Sequence, residues 1–360
     1  METFFSGTKI IAGFGATSEL KSLGFRRLFL VTDPYFAENG VAQKIAGEAG
    51  AAAVEIFKDV QPDPSVTLAA EGTARVKAFN PDGIVALGGG SAMDCAKAMA
   101  YFSGSKAKLV AIPTTSGSGS EVTDFAILTH DSVKHPLVDG RLRPDVAILD
   151  DALLQNLPKS LIADAGFDVL AHALEAYVGK NAGAITDALA KEAFCKAFSS
   201  LERSYEGEKT MRLPMHLAAT MAGMAFTEAG LGLCHAMAHS LGGMFHIPHG
   251  RLNAILLPAV VGCNGAFAGE KYASLARAAG LGGSAELVAV RNLKNGLIRL
   301  RRALNLPETL AQAGVLPRDV RQNGQKIVEA TLLDPCCGTN PVAVDAAMVH
   351  RILEEVTGRG

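Results

Sequence analysis

The 360-residue sequence contains no tryptophan, and aromatic residues make up only 6% of it. Core packing must therefore rely on Ala, Leu, Val and Gly, although an apolar share of 49% is enough for large buried cores. The net charge is only −2, so the chain lacks the basic surface that a nucleic-acid-binding protein or a membrane-surface protein presents. We expect neither nucleic acid nor membrane as a partner.

The chain also lacks the signals of export. Its first residues, METFFSGTKI, have no basic start followed by a signal-type apolar run. No apolar stretch approaches the roughly 20 residues of a membrane span. The six cysteines are scattered without zinc-finger spacing, which predicts a cytoplasmic protein with reduced thiols.

The first part of the chain alternates short apolar runs with helical patterns. The runs at 29–33, 83–89, 108–115 and 145–150 are continuous, as in strands covered on both faces, and helical spacing marks 64–79 and 91–102. After Pro158 almost all of the sequence has helical character. The pattern predicts an α/β domain with a parallel sheet at 1–155 and an all-helical domain at 156–360.

A glycine-rich segment, LGGGSAMDCAKA at 87–98, follows a predicted strand and opens a predicted helix. Ser91 can cap that helix, with Asp94 at the capping-box position. Such a helix start offers N–H groups and the positive end of a helix dipole to a pyrophosphate. A purely structural turn is the alternative, because neither G-x-G-x-x-G nor a Walker lysine–serine pair is present.

Two further features are typical of a coenzyme site. The segment PTTSGSGSEVT at 113–123 follows another strand, and its hydroxyl groups can bind phosphate, ribose or nicotinamide. Asp33 ends the strand FLVTD, where a carboxylate accepts from a ribose 2′-hydroxyl and repels a 2′-phosphate, which favours NAD over NADP. In the usual Rossmann order this acid follows the glycine loop, so a different topology is expected. Plain turns are the alternative in both places.

Two pairs of metal-type ligands lie at helical spacing. Asp168 and His172 are four residues apart, His235 and His239 are four apart, and His249 follows. Residues at i and i+4 share one helix face, so each pair can direct two ligands at one ion. A carboxylate with three imidazoles suits a divalent transition metal that keeps an open position for substrate. Ordinary polar residues on amphipathic helices are the alternative.

Taken together, these segments resemble the iron-containing (group III) alcohol dehydrogenases. The resemblance runs from Asp33 to DPCCGTNP at 334–341. Besides the segments above, KHPLVDGRLRPDVAILD, DVLAHALEAYV and GLGLCHAMAHSLGGMFHIPHG carry it. Within the family the chain is most similar to the 1-propanol dehydrogenases of bacterial microcompartments. It departs at Val342, where the family often has arginine.

The resemblance implies a dehydroquinate synthase-like fold with a dinucleotide-binding N-terminal α/β domain, and it assigns residues to roles. The implied metal ligands are Asp168, His172, His235 and His249. His239 matches a non-ligand histidine beside the nicotinamide, and Phe226 and Thr123 match substrate-pocket positions. The implied coenzyme contacts are Asp33, Gly88, Gly89, Gly90, Ser91, Asp94, Thr114, Thr115, Ser118, Lys134 and His239.

The implied reaction is hydride transfer between NAD(H) and a short-chain primary alcohol or aldehyde, such as 1-propanol or propanal. A metal acts there as a Lewis acid at the substrate oxygen. Iron is what the resemblance implies, although the ligand set also accepts Zn²⁺ or another divalent ion. His239 either relays protons or positions the nicotinamide. A homodimer or higher homo-oligomer is expected, in the cytoplasm or inside a bacterial microcompartment with its components as partners.

Other functions fit the sequence less well. A polyol dehydrogenase on the same fold would differ only in its substrate pocket. A metal- and NAD-dependent lyase or cyclase would need lysine and arginine for an anionic substrate, and residues 223–250 contain neither. An inert subunit of an enzyme assembly is a further alternative, but the presence of every metal-ligand residue expected from the resemblance argues against it.

Overall fold

The computed structural model describes residues 3–131 and 133–358, and these divide into two compact units, Phe5–Leu157 and a unit that begins at Pro158. The first unit contains a six-stranded parallel sheet in the order β1-β8-β5-β4-β2-β3. The strands of the unit are β1 (Lys9–Ala12), β2 (Arg27–Val31), β3 (Ala53–Phe57), β4 (Gly83–Gly88), β5 (Lys108–Pro113), β6 (Phe125–His130), β7 (Val133–Val138) and β8 (Val146–Leu149). β6 and β7 form a separate antiparallel hairpin.

Helices cover both faces of the sheet. They are α1 (Pro34–Glu38), α2 (Val41–Ala49), α3 (Val66–Phe79) and α4 (Gly90–Ser103). Alternate residues of one strand enter different cores, since Leu30 packs with α2 on one face whereas Phe29 packs with α3 and α4 on the other. Burial on both faces explains the continuous apolar runs. The predicted α/β arrangement is confirmed.

The strand order reverses at the centre of this sheet. From β2 the chain moves to β3 on one side, and it then returns to β4 on the other side of β2. In open α/β sheets, ligands bind beyond the carboxyl ends of the strands at such a reversal. Asp33 follows β2 and the glycine-rich segment follows β4, so this topology explains why the acid precedes the glycines in the sequence.

Several elements of the first unit were absent from the sequence prediction. The edge strands β1 and β3 and the hairpin β6–β7 were missed, as were the helices α1 and α2. The edge strands are only partly buried, so they lack the continuous apolar run on which the prediction depended.

The second unit consists of helices, as predicted; within the described residues no strand follows Leu149. α5 is apolar on nearly all sides and lies at the centre, packed against α6, α7 and α9. The helices are α5 (Lys159–Val178), α6 (Ala184–Glu206), α7 (Arg212–Ala229), α8 (Leu233–Phe245), α9 (His249–Asn264), α10 (Gly269–Ala278), α11 (Glu286–Ala303), α12 (Pro317–Leu333) and α13 (Ala346–Thr357).

Among the described residues, no helix is by itself long and apolar enough to cross a membrane. The bent pair Lys209–Ala229 and Leu233–Phe245, at 102°, meets the length and composition criteria only when its two parts are combined, as the core helices of a soluble protein also can.

Candidate functional site

Three helices of the second unit bring the four proposed metal ligands together. Asp168 and His172 lie one turn apart on α5, His235 lies on α8, and His249 is the first residue of α9. The Asp168 Oδ1 atom is 3.8 Å from His172 Nε2, 3.6 Å from His235 Nε2 and 3.5 Å from His249 Nε2. Ligands about 2.1 Å from one ion in a tetrahedron are roughly 3.4 Å apart. The ligand atoms of Asp168, His235 and His249 all lie within 4.8 Å of one another, so these three side chains fit one divalent ion, and His172 lies beside Asp168 as the fourth candidate.

A close approach of α9 to α5 places His249 beside Asp168. A Cβ atom on Gly250 would lie 2.0 Å from the backbone oxygen of Asp164, so only glycine permits this approach. The neighbouring Arg251 binds the Asp164 carboxylate at 2.9 Å. The start of α9 is therefore fixed against the turn of α5 that precedes Asp168.

Glu175, which the sequence analysis did not single out, fixes the orientation of His235. Its Oε2 lies 2.6 Å from His235 Nδ1, and both residues are almost fully buried. The same carboxylate accepts from the backbone N–H groups of Gly232 and Cys234 at the start of α8. A carboxylate bound to one ring nitrogen leaves the other nitrogen to face the metal position, as in many metal sites.

The Asn253 side chain lies where three of the proposed ligands converge. Its Nδ2 donates to Asp168 Oδ1 at 2.8 Å and lies 3.3 Å from His235 Nε2 and 3.2 Å from His249 Nε2. The sequence analysis gave this residue no role. Phe226, a proposed pocket residue, is buried and stacks on His172, with ring centroids 4.5 Å apart.

The surroundings of the ligands set their protonation. Burial raises the pKa of Asp168, but the imidazoles around it outweigh burial and hold that pKa well below its usual range. Burial lowers the pKa of His249 well below its usual value, and it also lowers that of His235, whose bonds to Asp168 and Glu175 nonetheless raise it to about 9. An ionised Asp168 and a neutral His249 are the forms that bind a metal.

His239 is separated from this ligand set although it shares a helix with His235. Its Nδ1 lies 2.8 Å from Asp334 Oδ2, just beyond α12, and its ring stacks on that of His249 with centroids 5.2 Å apart. The arrangement agrees with a histidine that stands next to the ligands without being one. Asp334 is a further residue that the sequence analysis left without a role.

In the first unit, the structure brings the two glycine- and hydroxyl-rich segments and Asp33 together. A Cβ on Gly88, whose φ is +149°, would lie 3.6 Å from Asp33 Oδ2. A Cβ on Gly89 would lie 3.5 Å from Thr115 Oγ1, and one on Gly90 would lie 3.3 Å from Ser118 Oγ. Small residues therefore keep a narrow space open at the carboxyl ends of β2 and β4.

The expected capping box at the start of α4 is wrong. Gly89 is the N-cap residue, and it has no side chain with which to cap the helix. Ser91 lies inside the first turn, and Asp94 instead accepts from Ser120 Oγ at 2.8 Å and Ile127 N at 3.1 Å. Since a glycine cap leaves the first-turn N–H groups without a side-chain acceptor, the helix start is suited to an anion.

The buried Lys97 ammonium organises the region below this helix start. It donates to Ser120 Oγ, to the backbone oxygen and Oγ1 of Thr123, and to the backbone oxygen of Phe125, at 2.9–3.0 Å. Thr123 is fully buried, and its hydroxyl accepts a hydrogen bond from Lys97. Its place in a substrate pocket stays a prediction.

The remaining predicted coenzyme residues lie at the edges of this region. Thr114 is buried, and its N–H donates to the backbone oxygen of Gly88 at 2.9 Å. Lys134 is exposed on β7 and pairs with Asp63 at 2.7 Å. Another anion can replace Asp63 as the partner of Lys134 at little cost in stability, because surface ion pairs contribute little to stability.

Comparison with known proteins agrees with both units. Residues 7–151 match the profile of the iron-containing alcohol dehydrogenases, and residues 162–357 match that of the C-terminal part of the Fe-containing alcohol dehydrogenase family. The chain belongs to the iron-containing alcohol dehydrogenase family. It is an oxidoreductase that interconverts alcohols and aldehydes by hydride transfer to or from a nicotinamide coenzyme, and the resemblance inferred from the sequence is confirmed.

Individual alcohol dehydrogenases are similar along nearly the whole chain. The NADPH-dependent butanol dehydrogenase of Clostridium saccharobutylicum is 37% identical, with 96% of this chain and 95% of that protein aligned. The 1-propanol dehydrogenase PduQ of Salmonella typhimurium is 36% identical over 99% of this chain and all of that protein. A crystal structure of 1,3-propanediol oxidoreductase superposes with a TM-score of 0.92, 32% identity, and coverage of 99% and 100%.

Proposed function

We propose that this alcohol dehydrogenase binds one divalent ion, in the first place Fe²⁺, through Asp168, His172, His235 and His249. The observation that carries the proposal is the convergence of the Asp168 carboxylate with His235 and His249, whose ligand atoms lie within 4.8 Å of one another. His172 Nε2 lies 3.8 Å from the same carboxylate, and Glu175 orients His235. When bound, such an ion supplies Lewis acidity to a substrate oxygen. Zn²⁺ or another divalent ion also suits these donors.

We propose NAD(H) as the coenzyme. The support is the position of the proposed contacts, from Asp33 and Gly88–Gly90 to Thr115 and Ser118, at the reversal of strand order. One relative is named for NADPH, so membership of the family does not fix the preference. The Asp33 carboxylate supports NAD, because a carboxylate at this position can accept from a ribose 2′-hydroxyl and repel a 2′-phosphate.

We propose that His239 acts through its Nε2 atom. The bond from Nδ1 to Asp334 orients the ring and places the proton of the neutral imidazole on Nδ1. Nε2 is then an acceptor that can take up the proton of an alcohol or contact the nicotinamide, and a proton relay and nicotinamide positioning are the two forms of this role.

The proposed substrate is a short-chain primary alcohol or its aldehyde, such as 1-propanol and propanal. Phe226 supports this choice, because its ring provides an apolar surface against His172. The names of the butanol and 1-propanol dehydrogenases point the same way. We also propose a cytoplasmic homo-oligomer, with residence inside a bacterial microcompartment as the more specific hypothesis.

The test combines removal of a ligand with a substrate series. His249→Ala should lower NADH-dependent propanal reduction by at least about 100-fold, since even changes beside metal ligands cost up to that much. Bound metal should fall in parallel while the helical circular dichroism persists. The control is His350→Ala, at an exposed position of α13. Full activity of His249→Ala would exclude the assigned metal site, and a preference for polyols over aldehydes from acetaldehyde to hexanal would exclude the proposed substrate.

A further inference from the structure

A second group of metal-type side chains lies next to the proposed ligand set. His239, Asp334 and Cys336 each offer one ligand atom, and these atoms all lie within 4.8 Å of one another. One carboxylate aligns the other two residues, since Asp334 Oδ2 bonds to His239 Nδ1 at 2.8 Å and Oδ1 accepts from the Cys336 N–H at 2.9 Å. The cluster therefore joins α8 to the turn Pro335–Thr339.

The chemistry of this cluster differs from that of the first ligand set. Thiolate, imidazole and carboxylate together are donors that Zn²⁺ prefers, and the sulfur selects softer ions than three imidazoles and a carboxylate do. Once Cys336 is deprotonated, its charge and that of Asp334 neutralise a divalent ion. All three residues are only partly buried, so an ion can reach them from solvent and complete its coordination with water.

We propose that His239, Asp334 and Cys336 form a second site, selective for a soft divalent cation of the zinc type, and that its occupation inhibits the enzyme. The ion binds His239 Nδ1 in place of the hydrogen bond to Asp334. The Cys336 thiol proton is released to solvent, and the His239 proton moves from Nδ1 to Nε2. A protonated Nε2 no longer accepts a proton, so the inhibition rests on the role proposed above for His239.

Cobalt binding tests the site independently of activity. Co²⁺ bound to a thiolate gives a strong near-ultraviolet charge-transfer band, and the first ligand set contains no sulfur. Wild-type protein titrated with Co²⁺ should show this band and bind two ions per chain. Cys336→Ser should lose the band and the second ion but keep the first. Cys337→Ser is the matched control, because the Cys337 thiol bonds to the backbone oxygen of Thr331 at 3.0 Å and should not be needed.

Zinc inhibition tests the consequence of binding. Zn²⁺ added to iron-loaded enzyme should inhibit the wild type and Cys337→Ser, each measured against its own zinc-free rate. Cys336→Ser should need at least about tenfold more zinc, since the loss of a ligand costs more than the loss of a neighbour. Iron content measured after the assay identifies displacement at the first site.

The cobalt titration and the zinc assay distinguish failure of the second site from failure of its inhibitory role. Absence of the cobalt band in the wild type, or its persistence in Cys336→Ser, would overturn the second site whatever the activity of the enzyme. A cobalt band without zinc inhibition would overturn the inhibitory role. Equal zinc inhibition of wild type and Cys336→Ser, with loss of iron, would assign the inhibition to the first site and also overturn that role.

Discussion

At the scale of single residues, Glu175 connects His235, a proposed metal ligand, to the start of a helix. It binds His235 Nδ1 at 2.6 Å and also accepts from two N–H groups at the N-terminus of α8. A negative charge at that end is favoured by the helix dipole. Gly232 is needed there, because a Cβ would lie 2.8 Å from the Glu175 carboxylate. The orientation of His235 therefore depends on a residue outside the proposed ligand set.

We predict that Glu175→Gln weakens metal binding by about 10–100-fold. Glutamine keeps the size of the side chain but directs an N–H₂ group at donors that a carboxylate satisfied. Dissociation constants for Co²⁺ and Zn²⁺, measured by competition with a chelator, are the readout. The control is Glu192→Gln, which removes an exposed carboxylate in the same unit. Unchanged metal affinity in Glu175→Gln would show that the His235 contact does not orient the ligand.

Asp33 gives a second prediction at this scale. Asp33→Gly should raise the ratio of kcat/KM for NADP⁺ over NAD⁺ by about tenfold or more, because repulsion of roughly 1.4 kcal/mol or more is removed. Asp33 also caps α1 through Phe36 N–H, but glycine at an N-cap costs only a few tenths of a kcal/mol.

Asp33→Asn serves as the matched variant, since it keeps a capping oxygen and removes the charge. Both variants should shift the coenzyme ratio in the same direction. If neither does, the carboxylate does not select the coenzyme.

At the scale of secondary-structure elements, Lys97 ties α4 to the segment that leads into β6. Its ammonium donates to residues 120, 123 and 125, and Ser120 in turn donates to Asp94. Burial lowers the pKa of Lys97 to about 8, so the ammonium remains charged at neutral pH. The start of α4 and the hydroxyl-rich segment, which carry the proposed coenzyme contacts, are thereby held rigidly together.

We predict that Lys97→Met lowers the free energy of unfolding by about 3–5 kcal/mol, the usual cost of breaking a buried charge network by removing one member. Urea unfolding followed by circular dichroism measures this loss. Lys44→Met is the control, because Lys44 is exposed and pairs with Glu48 at i,i+4 on the helix surface. It should change stability by no more than about 0.5 kcal/mol. Equal stability of the two variants would contradict the role of Lys97.

At the scale of the whole molecule, local pattern in the sequence predicted those elements whose burial is uniform. β4 and β5 are buried along almost their whole length and appear as continuous apolar runs. β1 and β3 are sheet edges with mixed exposure, and β6 and β7 form a hairpin apart from the main sheet. Their sequences carry a weaker periodic signal, which is why they were missed.

The same distinction applies to the candidate site. The pairs Asp168–His172 and His235–His239 were visible because helical spacing is local. Glu175 lies 60 residues from His235, and Asp334 lies 95 residues from His239, so no local pattern connects the partners. The i, i+4 spacing alone predicts that His235 and His239 bind the same ion. That His239 is not a ligand was expected only from the resemblance to the family.

The pairing of β1 with β8 has a consequence for biosynthesis. The backbone of Lys9–Ala12 bonds to that of Val146–Leu149, so the ribosome must add more than a hundred residues before the first strand finds its neighbour. At about 5–20 residues per second, that delay is on the order of 10 s. During this time the segment that contains Ile10 and Ile11 has no strand partner and can pair with an exposed strand of another chain. In the nascent protein, the N-terminal segment is therefore the part most exposed to incorrect strand pairing or to binding by a chaperone.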